Sequence, residues 1–416
     1  MLALGRILTS IALAVAVAAP ASLLPSRLDA QQPTPRKQAP ASGNKQNAAP
    51  SRKDAERKQP PARTQFTAAE EEAATLPGIP DARFWADSEQ DFAKVLPAQP
   101  GPWIALSAGG SDGAYGAGLL AGWSASGNRP DFALVTGVSS GALMAPYVFL
   151  GSRYDDQLRE SYSSIGAGDV FEAGGTPESL VDTWPLKETI AKRVTPKLLE
   201  DIAAEHQKGR RLLVLTTNLD AERFVVWNMG AIAAHRDENA LKLFREVLLA
   251  SSSVPGMFQP TFITVEANGR RFQEMHADGG VGAQFFVAPE ALLTSGSDYK
   301  LPATQIYVLV NGKLTPDFAV NDRTTVAILG RSVSVAIKAA ARTGVDRVYV
   351  ATKRSGIPFK LAYVDPSFTQ QGKGLFDRDY MQALYKRGFE NGKNGNSFVE
   401  QPPDLSNKPT TAAAVQ

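Results

Sequence analysis

Hydrophobic positions between about residues 100 and 390 form alternating strand and helix signals. Short apolar runs bounded by glycine or polar residues predict buried strands, and apolar residues three or four apart predict helices. The predicted strands are 103–106, 132–135, 212–216, 224–227 and 305–310. The predicted helices are 114–125, a stretch ending at Leu150, 196–207, 239–250, 326 to about 341, and 376–388. Thr195 is the expected N-cap of the helix 196–207. The helix 239–250 has Leu241, Phe244, Val247 and Leu248 on one face. This alternation predicts an α/β fold with a largely parallel central sheet flanked by helices.

The first 30 residues have the pattern of a secretory signal peptide. Arg6 precedes an uncharged, mostly apolar run over residues 7–19, which is short for a membrane span. Small residues at Ala19 and Ala21 suit cleavage, and Ala30 is a later alternative. We therefore expect an exported protein, either periplasmic or secreted. An uncleaved anchor and a transit peptide are the alternatives, and the small number of arginines disfavours a transit peptide.

Residues 31–65 contain six prolines, eight basic and two acidic residues, and no aromatic residue, Val, Ile, Leu or Met. Such a segment has too little apolar surface to offset its ordering entropy, so we expect a disordered basic linker. It acts either as a solvated spacer or by electrostatic attraction to an anionic membrane surface. Residues 66–400 are the predicted globular domain, with a core at about 100–390, and 401–416 are a predicted disordered tail.

Composition excludes several classes of protein and site. The content of 43% hydrophobic and 21% charged residues is that of an ordinary globular protein. The absence of Cys excludes disulfides and thiolate chemistry, and three His disfavour a His-rich metal site. Because the basic excess lies before residue 66, we expect no nucleic-acid partner.

A dinucleotide site is also disfavoured. Gly116, Gly118 and Ala121 fit a Gly-x-Gly-x-x-Ala pattern, but they lie inside a predicted helix, and position 138 is Val where an acid is expected. No P-loop sequence follows any glycine cluster. We therefore expect no nucleotide partner.

The strongest chemical signal is Gly137-Val138-Ser139-Ser140-Gly141, between a predicted strand and a predicted helix. A tight turn there strains the serine and leaves room only for glycine two residues before and after it. This is the context of a nucleophile elbow, which makes Ser139 a candidate nucleophile. The alternative is a plain Gly/Ser-rich turn.

A second glycine-rich element, Ser107 to Gly113, follows the first predicted strand. Consecutive glycines allow backbone N–H groups to point at one centre, which suits binding of an oxyanion.

A serine nucleophile needs a base, and four residues are candidates. His206 at a polar helix end and His235 in a polar loop are most simply solvated. His276 would need an acid partner such as Asp220. Asp278, followed by Gly279 and Gly280, is a weak base in water, but burial would raise its pKa. The alternative for Asp278 is a turn residue.

Together these three elements resemble the patatin-like phospholipases, which have a glycine-rich oxyanion loop, a Gly-x-Ser-x-Gly nucleophile and an Asp-Gly-Gly or Asp-Gly-Ala element in this order. Thr217-Asn218-Leu219-Asp220 is similar to the family's Thr-Asp-Leu. The segment from Ala250 to Pro260 is similar to its Ala-Ser-x-x-Ile-Pro-x-x-Phe-x-Pro. The resemblance covers about residues 100–390 and implies a three-layer fold.

The resemblance also implies roles. Ser139 would be the nucleophile and Asp278 the general base of a dyad. The N–H groups of Gly109, Gly110 and Ser111 would hold the oxyanion. The expected reaction is hydrolysis of fatty-acyl esters of lipids through an acyl-enzyme, with no metal or cofactor.

The chain departs from the family loop at three positions. Ser107 and Ala108 occupy its first two places, and Asp112 replaces its Arg or Lys. A carboxylate near an oxyanion opposes it, unless Asp112 points to solvent or the substrate preference differs. Two alternatives therefore remain: a Ser-His-Asp esterase that depends on His276, and an inactive relative that binds lipid.

Overall fold

A computed structural model describes residues 62–294, 300–318, 320–395 and 397–403. The predicted signal peptide, most of the predicted linker and most of the predicted tail lie outside these residues. The strands in the described ranges are β1 (Arg83–Trp85), β2 (Gly101–Leu106), β3 (Leu134–Val138), β4 (Glu172–Thr176), β5 (Ser179–Asp182), β6 (Arg211–Asn218), β7 (Arg223–Asn228), β8 (Thr261–Ala267), β9 (Arg270–Asp278), β10 (Ala303–Val310) and β11 (Phe359–Tyr363).

The helices of the same ranges alternate with these strands. They are α1 (Ala68–Glu72), α2 (Glu89–Lys94), α3 (Gly113–Ala125), α4 (Ser140–Leu150), α5 (Asp155–Ser163), α6 (Trp184–Arg193), α7 (Pro196–Gln207), α8 (Met229–His235), α9 (Glu238–Ser251), α10 (Glu290–Thr294), α11 (Thr325–Ser355) and α12 (Arg378–Lys393). Nowhere in the described ranges does a helix combine the length and apolar character needed to cross a membrane.

The central sheet is mixed and largely parallel, as predicted. Its strands follow the order β1-β7-β6-β3-β2-β10-β11, and the five from β6 to β11 are parallel to one another. Strands β1 and β7 extend it in antiparallel fashion, and the β8–β9 pair joins β6 through β9. The predicted α/β class is therefore confirmed.

Residues of the central strands alternate between two hydrophobic cores, which gives three layers. Trp103 and Ala105 of β2 face one core, while Ile104 and Leu106 face the other. Helices α3, α4, α9 and α12 cover the second core, and α2, α10 and α11 cover the first. This arrangement buries both faces of the parallel strands, which explains their continuous apolar runs.

Most predicted elements are confirmed, with shifted ends. The amphipathic helix α9 buries Phe244, Val247 and Leu248, but Leu241 is only half-buried and Leu243 is buried instead. The last helix begins at Arg378 rather than 376, because the Asp377 side chain caps it. The helix predicted from 326 to about 341 continues to Ser355, where Gly356 in a left-handed conformation ends it.

Gly118, one of the glycines that imitate a dinucleotide motif, has a packing role together with Gly122. Gly118 and Gly122 of α3 face α12, where an added Cβ would lie 2.0 Å from the Tyr385 carbonyl oxygen and 2.1 Å from that of Phe389. Gly388 and Gly392 of α12 approach α3 as closely in return. Small residues four apart on both helices allow this contact, which brings the start of α12 beside the glycine-rich loop.

The end of the predicted linker contacts the domain. The Arg63 guanidinium pairs with the Asp220 carboxylate at 2.6 Å and also donates to the Gln273 carbonyl oxygen. Residues 62–65 therefore pack against the β6–β7 turn and β9, although they belong to the segment predicted to be disordered.

Candidate active site

Ser139 lies in a strained turn between β3 and α4. Its φ of 54° and ψ of −123° are rarely adopted by residues other than glycine. The Ser139 N–H donates to the Ser251 hydroxyl at 3.0 Å, and that hydroxyl donates to the Leu215 carbonyl oxygen at 2.7 Å. Ser251 of α9 therefore holds the turn against β6.

The flanking glycines are required by close backbone approach. A Cβ on Gly137 would lie 2.5 Å from the Gly141 carbonyl oxygen, and one on Gly141 would lie 2.3 Å from that of Leu106. The structure thus places both glycines where the nucleophile-elbow prediction needs them.

Asp278 meets Ser139 through the pairing of β6. Strand β3 pairs with β6 up to Val138, which lies opposite Leu215. Strand β9 pairs with the same edge of β6 from the next residue onward, with Asp278 opposite Thr216. Because β9 runs in the opposite direction, its last residue lies next to the residue that follows β3. A hydrogen bond with the Ser139 side chain is one of the interactions that lower the Asp278 pKa.

The Asp278 carboxyl is nearly inaccessible, at 3% exposure. Burial raises its pKa to about 7, although the Ser139 hydroxyl and the Gly280 N–H, at 2.7 Å from Oδ1, oppose the rise. The Asp278 carboxyl is therefore a far better base near neutral pH than an exposed aspartate.

The two glycines after Asp278 fit closely around it. An added Cβ on Gly279 would lie 2.9 Å from the Leu215 carbonyl oxygen, and one on Gly280 would lie 3.0 Å from the Ala108 Cβ. These contacts bring the Asp-Gly-Gly element against both β6 and the glycine-rich loop.

The glycine-rich loop presents unpaired donors. In the described ranges no acceptor takes the N–H groups of Gly109, Gly110 or Ser111, whereas the Ala108 N–H donates to the Gln284 carbonyl oxygen at 2.8 Å. Gly110 also has a left-handed φ of 54°. The Ala108 N–H is thus already paired, whereas the N–H groups of Gly109, Gly110 and Ser111 have no acceptor in the described ranges.

Asn311 fixes the loop from the neighbouring strand. Its N–H donates to the Ser107 hydroxyl and its side-chain amide donates to the Ser107 carbonyl oxygen, both at 2.8 Å. A Cβ on Gly109 would lie 2.2 Å from the Asn311 carbonyl oxygen, so only glycine fits there.

Asp112 points neither to open solvent nor to Asp278. Its Oδ1 accepts a hydrogen bond from the Tyr380 hydroxyl of α12 at 2.6 Å. Burial raises the Asp112 pKa to about 6, opposed by the Tyr380 hydrogen bond and the positive charge of Lys313. Within the described part of the chain, Asp112 is not among the groups that shift the Asp278 pKa.

His276 belongs to a closed polar network. It is fully buried, with Nε2 3.0 Å from Glu274 Oε2 and Nδ1 3.1 Å from the Thr216 hydroxyl. Burial lowers its pKa, and the hydrogen bond with Glu274 offsets part of that effect. Glu274 is itself paired with Arg83, while Asp220, the acid partner considered for His276, pairs with Arg63. Both ring nitrogens of His276 are therefore occupied away from Ser139.

The other two histidines differ from each other. His235 is exposed, as predicted. His206 is not simply solvated, since it is half-buried against Gly230 and burial lowers its pKa to about 4. The prediction for His206 was wrong because α8 packs against the end of α7.

A narrow cavity of about 100 Å³ leads away from Ser139 and Gly110. Its walls are mostly apolar, and they include Leu143, Ile165, Leu186, Val254, Phe258 and Met381. The cavity can accept an apolar group beside Ser139.

The described residues include no group of three or more His, Asp or Glu arranged to hold a metal ion. A larger polar cavity of about 490 Å³ lies between residues 63–72 and Asp220, and neither Ser139 nor Asp278 lines it.

Sequence reasoning missed Ser251, Asn311, Gln284 and Tyr380. Of these four, only Ser251 could have been found from the sequence, because it lies in the segment from Ala250 to Pro260 that carries part of the family resemblance.

Residues 104–290 match the family model described as patatin-like phospholipase. A comparison with curated proteins gives no match. Among solved structures, the chain is similar to VipD from Legionella pneumophila at 11% sequence identity and a TM-score of 0.30, over 73% of this chain and 68% of the VipD chain.

Proposed function

We propose that this chain, whose residues 104–290 match the patatin-like phospholipase family model, hydrolyses fatty-acyl esters of lipids with a Ser139–Asp278 dyad. The family is one of lipid acyl hydrolases. The dyad, the ester class and the assignment of each residue are the proposal.

One observation carries the proposal. Strands β3 and β9 meet end to end along β6, and this pairing places the strained Ser139 beside the buried Asp278 carboxyl, whose pKa is raised to about 7. A nucleophile and a base matched to neutral pH are the two groups that acyl transfer needs.

The reaction follows from these positions. The Asp278 carboxylate accepts the Ser139 proton while Oγ attacks the ester carbonyl carbon, and the oxyanion is held by the N–H groups of the glycine-rich loop. Collapse of the intermediate breaks the ester C–O bond, and Asp278 returns the proton to the leaving alcohol. Water then attacks the acyl-enzyme and gives its proton to Asp278. The bond between Oγ and the acyl carbon breaks, Asp278 returns the proton to Oγ, and the fatty acid leaves.

The unpaired N–H groups of Gly109, Gly110 and Ser111 support an oxyanion hole at the loop. Asp112 is compatible with this role, because the Tyr380 hydroxyl binds its carboxylate and Lys313 offsets part of its charge. The apolar cavity beside Ser139 supports a fatty-acyl chain as the bound part of the substrate.

The occupied ring nitrogens of His276 argue against the Ser-His-Asp alternative. The inactive lipid-binding alternative predicts that no ester is turned over.

Purified protein and its Ser139→Ala variant should be incubated with a panel of phospholipids and neutral glycerides, and the products identified by mass spectrometry. We expect free fatty acid and a lysolipid or partial glyceride from the wild type only. Equal release by both proteins, or no release from any ester, would contradict the proposal.

Export remains part of the proposal and rests on residues 1–30 alone. The mature protein should begin after Ala21 or Ala30, which N-terminal sequencing of protein from the periplasm or medium would test. An intact Met1 on cytoplasmic protein would contradict export.

A further inference from the structure

An exposed apolar patch lies on the loop before α11 and on the first half of that helix. Four side chains define it: Phe318 is 93% exposed, Val320 88%, Ile328 55% and Val335 60%. Ile328 and Val335 are seven residues apart, so they project from the same face of α11. Val333 and Ala341, on the opposite side, are buried in the core. The patch is therefore an outward apolar face on a helix whose inner face is already covered.

The segment that carries this patch is basic. Residues 313–342 contain five Lys or Arg and two Asp. Lys313 and Lys338 share Asp317 as an ion-pair partner, and Arg331 donates to the Asp317 carbonyl oxygen. The segment thus keeps a positive charge inside a globular region, residues 66–416, that is acidic as a whole.

The patch adjoins the candidate oxyanion loop. Lys313, Asp317 and Lys338 all act on the Asp112 carboxyl in that loop, and Asn311, two residues before Lys313, binds Ser107. Gly110 of the same loop lines the cavity that holds Ser139. A surface bound to the patch would therefore lie close to the catalytic groups.

We propose that Phe318, Val320, Ile328 and Val335 insert into the surface of an anionic lipid bilayer, with the surrounding Lys and Arg contacting its head groups. An apolar stripe flanked by basic side chains is the pattern of a helix that lies in the membrane interface. The choice of a lipid surface rests in part on the proposed lipid substrate.

The charge of the patch argues against one other occupant. The N-terminal residues 1–61 contain nine basic and three acidic residues, so a positively charged patch repels them. A second copy of the chain is the remaining occupant, and the experiment below distinguishes it from lipid.

The test is flotation of the full chain with vesicles of phosphatidylcholine alone or with roughly 30% phosphatidylglycerol. A Ser139→Ala background keeps the lipid intact. Val335→Asp is compared with Val350→Asp, a matched control on α11 that is 57% exposed and about 22 Å further along the helix. Thermal melting of both variants checks the fold.

We expect the Ser139→Ala protein to float with the anionic vesicles and much less with the neutral ones. Val335→Asp should lower the bound fraction at least about fivefold, Val350→Asp should stay within about twofold, and Val335→Leu should restore binding. Raising salt from about 0.1 to about 0.5 M should weaken but not abolish binding, because the apolar part is not screened.

Several results would overturn the proposal. One is that the protein does not bind vesicles. A second is that Val335→Asp and Val350→Asp lose binding equally. A third is that Val335→Asp binds fully, which would assign binding to another segment. A dimer that forms without vesicles and dissociates in Val335→Asp would assign the patch to a second copy. Because binding needs no catalysis, these results are independent of whether Ser139 hydrolyses esters.

Discussion

The two halves of the central sheet contribute to the site in different ways. The parallel strand β3 delivers Ser139 through a local turn whose shape is set by Gly137 and Gly141. The antiparallel strand β9 delivers Asp278 only through its register with β6, where the hydroxyl of Thr217, 61 positions earlier, donates to the Asp278 carbonyl oxygen. The position of the proposed nucleophile therefore depends on local backbone geometry, while that of the proposed base depends on long-range pairing.

The largest expected effect comes from the parallel half. Ser139→Ala removes the attacking oxygen and should lower kcat/KM for an ester by at least about 10³-fold. Ser251→Ala keeps that oxygen and removes the hydroxyl that links the Ser139 N–H to the Leu215 carbonyl oxygen, so a loss of about tenfold is expected. Steady-state assays with a soluble p-nitrophenyl ester measure both. Equal losses would mean that Ser139 acts only through the turn.

The next effect concerns the loop beside β2. Gly109→Ala would force a Cβ against the Asn311 carbonyl oxygen, so the loop must move and its N–H groups lose their common direction. We expect kcat to fall by about 10²-fold, the size of losing an oxyanion donor. Gly168→Ala is the control, since its added Cβ meets nothing within 4 Å. Unchanged kcat in Gly109→Ala would exclude the loop as the oxyanion hole.

The burial of Asp278 in the antiparallel half can be tested through the pH dependence of the free energy of unfolding. Burial raises the Asp278 pKa to about 7, above the value of about 4 for an unfolded aspartate. Between these values the native state holds a proton that the unfolded chain has lost, so stability falls as pH rises. The free energy of unfolding of Asp278→Asn should therefore exceed that of the wild type by roughly 1–3 kcal/mol at pH 8, and the two should be about equal at pH 4. Urea unfolding at both pH values measures this, and a difference independent of pH would contradict it.

The smallest effect concerns the contact between α12 and the loop. Tyr380→Phe removes the hydrogen bond to Asp112 and should raise the pKa of that carboxyl above 6. We expect kcat to change by about threefold, with its pH dependence altered below pH 7 and KM unchanged. An unaltered pH profile would show that Asp112 does not influence the reaction.

The difference between the parallel and the antiparallel strands also explains which elements could be predicted from the sequence. Strands β2, β3, β6 and β10 are buried on both faces, so each is a visible apolar run. Strands β8 and β9 were missed because their apolar residues stand between Thr, Glu, Arg and Gln, so neither strand forms a continuous apolar run. Ser139 could be identified because its signal is local, with glycines two residues away.

Contacts between distant positions could not be predicted from local patterns. Tyr380 reaches Asp112 across 268 residues, and Asn311 reaches Ser107 across 204. For Asp278 the residues alone left a turn as the alternative, and its role came from the family resemblance. His276 shares its strand with Asp278, yet Glu274 and Thr216 bind it, which no spacing indicates.

The pH dependence of kcat/KM for a soluble p-nitrophenyl ester tests the central claim most directly. We expect the wild type to gain activity as the pH rises through about 7, because Asp278 then loses its proton. His276→Ala should keep that profile with at most about tenfold loss per folded molecule, while Asp278→Asn should lose at least about 10³-fold. If His276→Ala is as inactive as Ser139→Ala while Asp278→Asn stays active, histidine is the base and the Ser139–Asp278 dyad is wrong.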